Sequence, residues 1–161
     1  MKVICDSTVI IGLAKIGKLD LLKQIYGEVY IPEAVFIEVV VEGKEKNGAK
    51  ETAELEWVKR KPVKDKRIVE ILFAELGRGE AEVLVLGKEL NADLLIIDDE
   101  RARTAAISAN FQVIGLIGVL LLAKHLNFIN QIKPFLEELK NKNFRLSDKL
   151  IEKVLKLAGE Q

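Results

Sequence analysis

Two short apolar runs, each followed by acidic residues, constrain most strongly what this chain can fold into. Residues 2–5 lead into the polar cluster 6–8, and residues 93–97 lead into Asp98 and Asp99. Continuous apolar character over four or five residues is typical of strands that are buried on both faces of a parallel sheet. Because the carboxyl ends of parallel strands share one edge of the sheet, the acids after the two runs are expected to lie close together.

Segments with helical spacing of apolar residues separate the predicted strands. We predict strands over residues 2–5, 28–31, 57–63, 93–97 and 111–114, with 57–63 at an edge of the sheet. We predict helices over residues 9–14, 19–25, 33–41, 51–55, 65–76, 80–90 and 100–109, a polar loop over 43–49, and two amphipathic helices within 130–158. This alternation predicts an α/β fold, a three-layer α/β/α arrangement with a central parallel sheet plus two C-terminal helices.

The length and composition favour a single domain. A chain of 161 residues that is 49% apolar can bury one sizeable core. We expect one domain over 1–161, with its core at about 1–126 and a helical extension at about 130–161. The 25 basic and 25 acidic residues cancel, so any contact with nucleic acid must use local patches of charge.

The chain carries no predicted signal for export or membrane insertion. The most apolar run, 113–123, is shorter than the roughly 20 residues that span a bilayer, and we interpret it as a strand end followed by a helix. The single Cys5 cannot form an internal disulfide and is interpreted as a buried apolar residue. These features predict a protein of the reducing cytoplasm, without a membrane partner.

Each acidic residue of interest also has a purely structural interpretation. Asp6 with Ser7 could cap a helix, and residues 98–100 could form the charged first turn of another. Glu38 interrupts an apolar segment, where an unpaired buried carboxylate would be costly, although a solvated edge position is the alternative. Glu80 stands near the start of a predicted helix, where acids are favourable for electrostatic reasons alone.

Taken together, these acids point to a divalent cation. Several carboxylates at one sheet edge would repel one another and raise their pKa values, and a bound cation would remove that penalty. Ligands made only of oxygen suit Mg²⁺ or Mn²⁺. His125 is the single histidine, and the sequence offers no further histidine or cysteine ligands to complete a zinc site with it. Ser7 and Thr8 belong to no sequence motif of a catalytic nucleophile.

The sequence resembles the PIN domain family in the residues that carry these acids. Residues 3–8 resemble the start of that family, and residues 79–82 and 92–99 resemble its central segment, so that the likeness covers about 2–126. The resemblance implies the catalytic residues Asp6, Glu38, Glu80 and Asp98, metal binding by Asp6, Asp98 and Asp99, and additional roles for Glu82 and Ser7. Two of these roles stay open between neighbouring acids: Glu82 is an alternative to Glu80, and Asp99 is an alternative to Asp98.

The activity that the resemblance implies is metal-dependent hydrolysis of RNA by an activated water, with Mg²⁺ or Mn²⁺ as cofactor. The likeness is closest to a prokaryotic branch similar to the toxins of toxin–antitoxin pairs, which implies an antitoxin partner and a homodimer. Candidate RNA contacts are Arg78, Arg101 and Arg103, together with the basic segment 59–67.

Other functions remain as alternatives or are excluded by single positions. A PIN-like domain without catalysis, acting as a binding or assembly module, is the alternative from a different class. A dehalogenase-type phosphotransferase would need an aspartate at position 8, where the chain has Thr8. A dinucleotide-binding fold would need a G-x-G-x-x-G turn after the first strand, and residues 6–13 contain only Gly12.

Overall fold

A parallel sheet of five strands forms the centre of the computed structural model, which describes residues 1–41, 52 and 55–161. The strands are β1 (Val3–Cys5), β2 (Val29–Pro32), β3 (Val58–Lys61), β4 (Leu94–Ile96) and β5 (Val113–Ile114). Their order across the sheet is β3-β2-β1-β4-β5, and each of these pairings is parallel. The central β1 pairs with β4 in a register that places Cys5 beside Ile96, so the residues after both strands meet at one edge.

Helices surround this sheet. In chain order they are α1 (Ser7–Lys15), α2 (Leu21–Tyr26), α3 (Glu33–Phe36), α4 (Lys66–Phe73), α5 (Arg78–Glu89), α6 (Glu100–Ser108), α7 (Leu116–His125), α8 (Lys133–Asn141) and α9 (Asp148–Leu157). All residues of β1 are buried, although successive side chains of a strand point to opposite faces. Both faces of the sheet are therefore covered, and the predicted three-layer α/β/α fold is confirmed.

The predicted elements within the described residues are found, with ends that shift by a few residues. The helix predicted over 65–76 ends at Phe73, and the helix predicted from residue 80 begins at Arg78. Such shifts are normal, because helix ends fray and periodicity does not fix the terminal turn. The predicted loop at 43–49 lies outside the described residues, as does the predicted helix at 51–55 except for its positions 52 and 55.

The segment predicted as one α-helix over 33–41 is built differently. It starts as α3 and continues as a π-helical turn over Ile37–Val41. Branching at Cβ restricts side-chain rotamers in an α-helix, so this run of valine and isoleucine has little intrinsic reason to keep α geometry. Single π-helical turns are often found at functional sites, and this one carries Glu38.

Side-chain caps fix the starts of several helices. The Asp6 carboxylate accepts from Val9 N at 2.9 Å, and the Ser147 hydroxyl accepts from Leu150 N at 3.1 Å. Asp65 caps α4 in the same way. Each cap satisfies a backbone donor that has no partner within its helix.

One apolar core includes residues from the sheet and from the C-terminal helices. Ile4 and Leu95 of the sheet are fully buried, and so are Leu136 and Leu139 of α8. The two C-terminal helices therefore stabilise the same core as the strands. Within the described residues, no helix is long and apolar enough to cross a membrane.

Candidate active site

The carboxyl ends of the strands carry Asp6 and Asp98, with Glu80 close enough to act on Asp6, and we call this part of the molecule the acidic edge. Asp6 lies at its centre and is held there from two sides. Its backbone N–H donates to Ile96 O at 3.0 Å, which continues the β1–β4 ladder by one residue. One carboxylate oxygen accepts from Val9 N at 2.9 Å and the other accepts from Asp98 N at 2.9 Å. The side chain is only 3% exposed, so Asp6 is a buried acid whose orientation is fixed by backbone donors of two elements.

The environment of Asp6 opposes its ionisation. Burial raises the pKa of its carboxyl to about 7, because the charged form is removed from water. The two backbone donors lower that pKa, whereas the negative charges of Asp98 and Glu80 raise it. Asp6, Asp98 and Glu80 are therefore near enough to interact electrostatically, as the sequence predicts for acids at one sheet edge.

The neighbouring acids Asp98 and Asp99 have different surroundings. The Asp98 carboxylate accepts from Leu116 N at 3.1 Å, next to the start of α7. The Asp99 carboxylate instead accepts from Ala102 N at 2.9 Å and caps α6. Asp98 therefore faces the site from the end of β4, and Asp99 has the helix-capping role that was the structural alternative.

Glu38 joins the site from the π-helical turn. Its carboxylate accepts from the Ser7 hydroxyl at 2.8 Å, which links this turn to the first residue of α1. The same carboxylate lies against Gly79 of α5, where an added Cβ would overlap it. Glu38 is partly exposed to solvent and also contacts Ser7 at the acidic edge. The two interpretations of this residue, a solvated carboxylate and a site residue, are therefore compatible.

The competing acids Glu80 and Glu82 also differ in what they contact. The Glu80 carboxylate folds back over Gly77, the N-cap residue of α5, and its charge acts on Asp6. The Glu82 carboxylate accepts from Ala34 N at 2.9 Å, at the start of α3. Glu82 therefore satisfies a helix donor on another element, whereas Glu80 faces the acidic edge.

The three arginines predicted to contact RNA are not brought together. Arg103 reaches the acidic edge, where a Cβ on Gly115 would lie 3.3 Å from its guanidinium and 3.0 Å from the Asp98 carboxylate. Arg78 instead pairs with Glu70 at 3.1 Å and stacks over the Phe73 ring. A groove of about 800 Å³ lies beside Asp98 and is lined by Arg103 and Leu116 among others. Arg101 is exposed on α6 and does not line this groove.

The basic segment 59–67 is partly neutralised. Arg60 pairs with Glu33 and lies over the Phe36 ring, at 4.0 Å from its centroid. Lys59 and Lys61 are exposed on the edge strand β3. A solvated surface accounts for most of this segment, because exposed lysines on an edge strand also prevent edge-to-edge pairing.

Two parts of the site were missed by sequence reasoning. One is Gly79, a buried glycine inside a helix, where only a missing side chain leaves room for the Glu38 carboxylate. The available signal was a second glycine two residues after Gly77, just before a predicted helix, since a glycine beside a helical pattern often has a packing reason. The other is Arg145, which lines the same groove as Arg103 from the C-terminal loop and has no local sequence signal.

The carboxylate oxygens of Asp6 and Asp98 are ligands that suit a hard divalent cation. Within the described part of the chain, no three His, Cys, Asp or Glu side chains form a group that could enclose a metal ion by themselves. Mg²⁺ commonly uses only one or two carboxylates and completes its shell with water and substrate phosphate, which matches Asp6 and Asp98. An ionised carboxylate offers roughly four acceptor positions, and the described backbone donors use two on Asp6 and one on Asp98.

Comparison with known proteins gives one family match. The sequence model of a family described as a PIN domain matches residues 2–160. The match continues through α8 and α9, beyond the limit near residue 126 that the resemblance indicated. A comparison with curated proteins finds no significant match.

Proposed function

The chain belongs to the PIN domain family, and on this premise we propose that it is a metal-dependent ribonuclease that hydrolyses RNA phosphodiester bonds. The observation that carries the proposal is the setting of Asp6. This buried carboxyl is held by backbone donors beside two further acids, at an edge of the sheet where α/β folds place their ligands. A fold that only needed a helix cap would not require those additional negative charges.

The residues that would hold the ion are Asp6 and Asp98, with Mg²⁺ or Mn²⁺ as the cofactor. When bound, such an ion supplies activation of water and stabilisation of the charge that develops on phosphate oxygens. The chain's contribution is to keep both carboxylates fixed by backbone donors, so that little reorganisation is needed when substrate arrives. Neutralisation of Asp6 by the cation would also offset the cost of its burial.

Glu38 and Glu80 are the candidates for orienting the attacking water. In the proposed reaction a water oxygen bonds to phosphorus and the bond to the ribose 3′ oxygen breaks. Water loses a proton and the leaving oxygen gains one, so a group that accepts a proton near the edge is required. Glu38 is suited to this role because it is partly exposed and positioned by the Ser7 hydroxyl at 2.8 Å.

The test is cleavage of a mixed RNA pool by purified wild type and Asp6→Asn, each with Mg²⁺, Mn²⁺ or EDTA. We expect metal-dependent cutting by wild type and a loss of about 100-fold or more in Asp6→Asn, the scale for removal of one preorganised electrostatic group. Circular dichroism would establish that both proteins fold.

Matched variants test the shared assignments in the same assay. We expect Glu80→Gln and Asp98→Asn to lose activity, and Glu82→Gln and Asp99→Asn to retain it, because the second pair has helix-capping contacts. Folded wild type that binds metal without cutting RNA would contradict the nuclease proposal. That outcome would favour the alternative of a binding or assembly module.

Finer roles extend the same proposal. We propose that the ribonuclease acts in the cytoplasm as the toxin of a toxin–antitoxin pair, with an antitoxin protein as partner, and that it forms a homodimer. Val9, Ile10 and Leu13 of α1 are buried within one chain, so a dimer interface would have to use other residues. A gene for a small antitoxin next to the gene for this chain would support the toxin role.

A further inference from the structure

The side chain of Glu82 attaches the start of α3 to α5. Its carboxylate accepts from Ala34 N at 2.9 Å, between residues that are 48 positions apart in the chain. Ala34 is in the first turn of α3, where a backbone N–H has no partner within its own helix. Pro32 occupies the N-cap position of α3 and makes no side-chain cap hydrogen bond. Glu82 therefore supplies from another element the cap that α3 lacks.

The start of α3 is in turn bonded to the π-helical turn that carries Glu38. Ile37, the first residue of this turn, donates from its backbone N–H to Glu33 O and Ala34 O. The helix α3 has only four residues, so contacts with other elements must hold it in place. A displacement of Ala34 would therefore be transmitted directly to the turn.

One face of α5 contacts this segment at two points. Gly79 and Glu82 are three residues apart on α5, and residues with this spacing lie on the same face of a helix. Gly79 lies against the Glu38 carboxylate, and Glu82 holds Ala34 N. A single point of contact would leave the segment free to pivot on α5. Two points fix its orientation, and with it the direction in which the Glu38 side chain leaves the turn.

We propose that Glu82 is a positioning residue for RNA cleavage, which holds α3 so that the Glu38 carboxylate stays beside Ser7 at the acidic edge. This inference rests on the proposed ribonuclease function, in which Glu38 orients the attacking water. Glu82 acts in this role as a hydrogen-bond acceptor, so neither its negative charge nor a contact with metal or RNA is required. The role differs from that of Glu80, whose charge acts on Asp6.

The test compares kcat and KM for RNA cleavage in Mg²⁺ between Glu82→Met and Glu82→Gln. Methionine keeps the unbranched shape and the helix propensity of glutamate but lacks a strong acceptor, whereas glutamine keeps an acceptor oxygen. We expect Glu82→Met to lower kcat about tenfold or more, because a small misplacement of a catalytic group slows the chemical step. KM should stay near the wild-type value, since no substrate contact is removed. Glu82→Gln should restore kcat.

Glu89→Met is the matched control. Glu89 is also on α5, and its carboxylate accepts from Lys64 N at 2.9 Å and Asp65 N at 2.8 Å, just before α4. This substitution removes the same kind of contact from the same helix, away from the segment that carries Glu38. Urea unfolding should show that Glu89→Met and Glu82→Met are both destabilised, but Glu89→Met should keep the wild-type kcat.

The results that would overturn the positioning role are specific. Equal losses of kcat in Glu82→Met and Glu89→Met would mean that both act through general destabilisation. A loss in Glu82→Gln as large as that in Glu82→Met would mean that the charge of Glu82 is needed. In a Glu38→Ala background, Glu82→Met should cause no further loss of kcat, and an additive loss would mean that Glu82 does not act through Glu38.

Amide hydrogen exchange in EDTA, measured by NMR, tests the attachment without reference to activity. The Ala34 N–H should exchange faster in Glu82→Met than in wild type or Glu82→Gln, because its acceptor is lost. This pattern together with a folded but inactive wild type would overturn the nuclease and keep the attachment of α3 to α5. Wild type that cuts RNA while Glu82→Met keeps full kcat would overturn the positioning role and leave the nuclease intact. Unchanged exchange of Ala34 N–H in Glu82→Met would overturn the attachment itself.

Discussion

Asp6 combines two roles that are usually considered separately, because it caps a helix and also belongs to a cluster of acids. Its cap bond to Val9 N fixes one oxygen, and the bond from Asp98 N fixes the other. A carboxylate with this many backbone donors keeps its orientation whether or not a ligand is present. The structural and the functional interpretation of Asp6 are therefore compatible.

The raised pKa of Asp6 predicts a specific pH dependence of stability in the absence of metal. The folded protein holds a proton on this carboxyl up to about pH 7, whereas an unfolded chain releases it near the ordinary value of 3.8. The unfolded state therefore binds fewer protons between these values, and the free energy of unfolding falls as pH rises through this window. Above pH 7 the penalty is complete and stays constant.

Urea unfolding of wild type and Asp6→Asn in EDTA would measure this effect. The amide introduced by the substitution does not titrate, so the stability of wild type relative to the variant should decrease by up to about 1.4 kcal/mol for each pH unit between about pH 4 and 7. Addition of Mg²⁺ at pH 8 should stabilise wild type and leave the variant unchanged. A difference that stays constant with pH would contradict burial as the cause of the shift.

At the residue scale, the sequence predicts which region of the fold carries the acids. It does not predict which of two neighbouring acids faces the site. Asp6 and Asp98 follow apolar strands, and this position alone indicates the sheet edge. Glu80 and Glu82 both lie near the start of one helix, and what separates them is Ala34 N, a donor 48 residues away in the chain. No local pattern contains that information, because the contact depends on how α3 packs against α5.

At the scale of elements, the site depends on a close approach between α5 and the π-helical turn. Gly79 lies where the Glu38 carboxylate meets α5, and a larger side chain would occupy that space. The approach in turn keeps Glu38 within hydrogen-bond distance of Ser7, at 2.8 Å. One glycine therefore determines the relative position of three elements at the acidic edge.

Substitution Gly79→Ala should separate activity from stability. The added Cβ displaces the end of a flexible Glu38 side chain. Alanine is favoured over glycine in a helix interior by about 1 kcal/mol, and the gain is smaller in the first turn, where Gly79 lies, so stability should be kept or slightly increased. RNA cleavage should fall about tenfold or more, because Glu38 leaves its position beside Ser7. Measurements of kcat/KM and of urea unfolding would check both parts.

A double-mutant comparison identifies the cause of that loss. If Gly79→Ala acts through Glu38, the double variant with Glu38→Ala should be no less active than Glu38→Ala alone. Independent, additive losses would mean that Gly79 matters for another reason. Full activity of Gly79→Ala would show that the position of Glu38 beside Ser7 is not needed.

Element types were predictable from the sequence, and element geometry only in part. Apolar runs and helical spacing indicate the strands and helices correctly within the described residues. The π-helical turn at Ile37–Val41 was not predicted, because periodicity over five residues cannot distinguish it from an α-helix. Its position is set by packing of α3 against α5, which is a tertiary effect.

At the scale of the whole molecule, the C-terminal helices form part of the core, and the loop between them lines the groove beside Asp98. Leu136 and Leu139 are fully buried in the same cluster as the strands. The family match to residue 160 agrees with this packing. The sequence indicates these helices by their amphipathic spacing, but it does not show that their connecting loop docks on Gly12 through Phe144.

If the chain is one cooperative unit, a cavity made in α8 should also affect a reporter beside the edge strand β3. Trp57 is the single tryptophan and precedes the edge strand β3, so its fluorescence follows the N-terminal part of the fold. Leu139→Ala should lower the free energy of unfolding by about 2–5 kcal/mol, the range for buried leucine, and Leu13→Ala serves as the matched change in α1.

Both variants should shift the Trp57 transition and the far-UV circular dichroism transition together. Separate transitions, with Trp57 unaffected by Leu139→Ala, would mean that the C-terminal helices unfold independently of the sheet.

The hydrogen bond from Asp98 N to Asp6 also has a consequence for biosynthesis, because its partners are 92 residues apart in the chain. A growing chain that has emerged from the ribosome only as far as β2 or β3 has Asp6 but not the strand that positions it. Residues 143–146, which line the groove beside Asp98, are synthesised later still. Under the proposed function, the nascent chain is thus unable to degrade the messenger and ribosomal RNA beside it until synthesis is nearly complete.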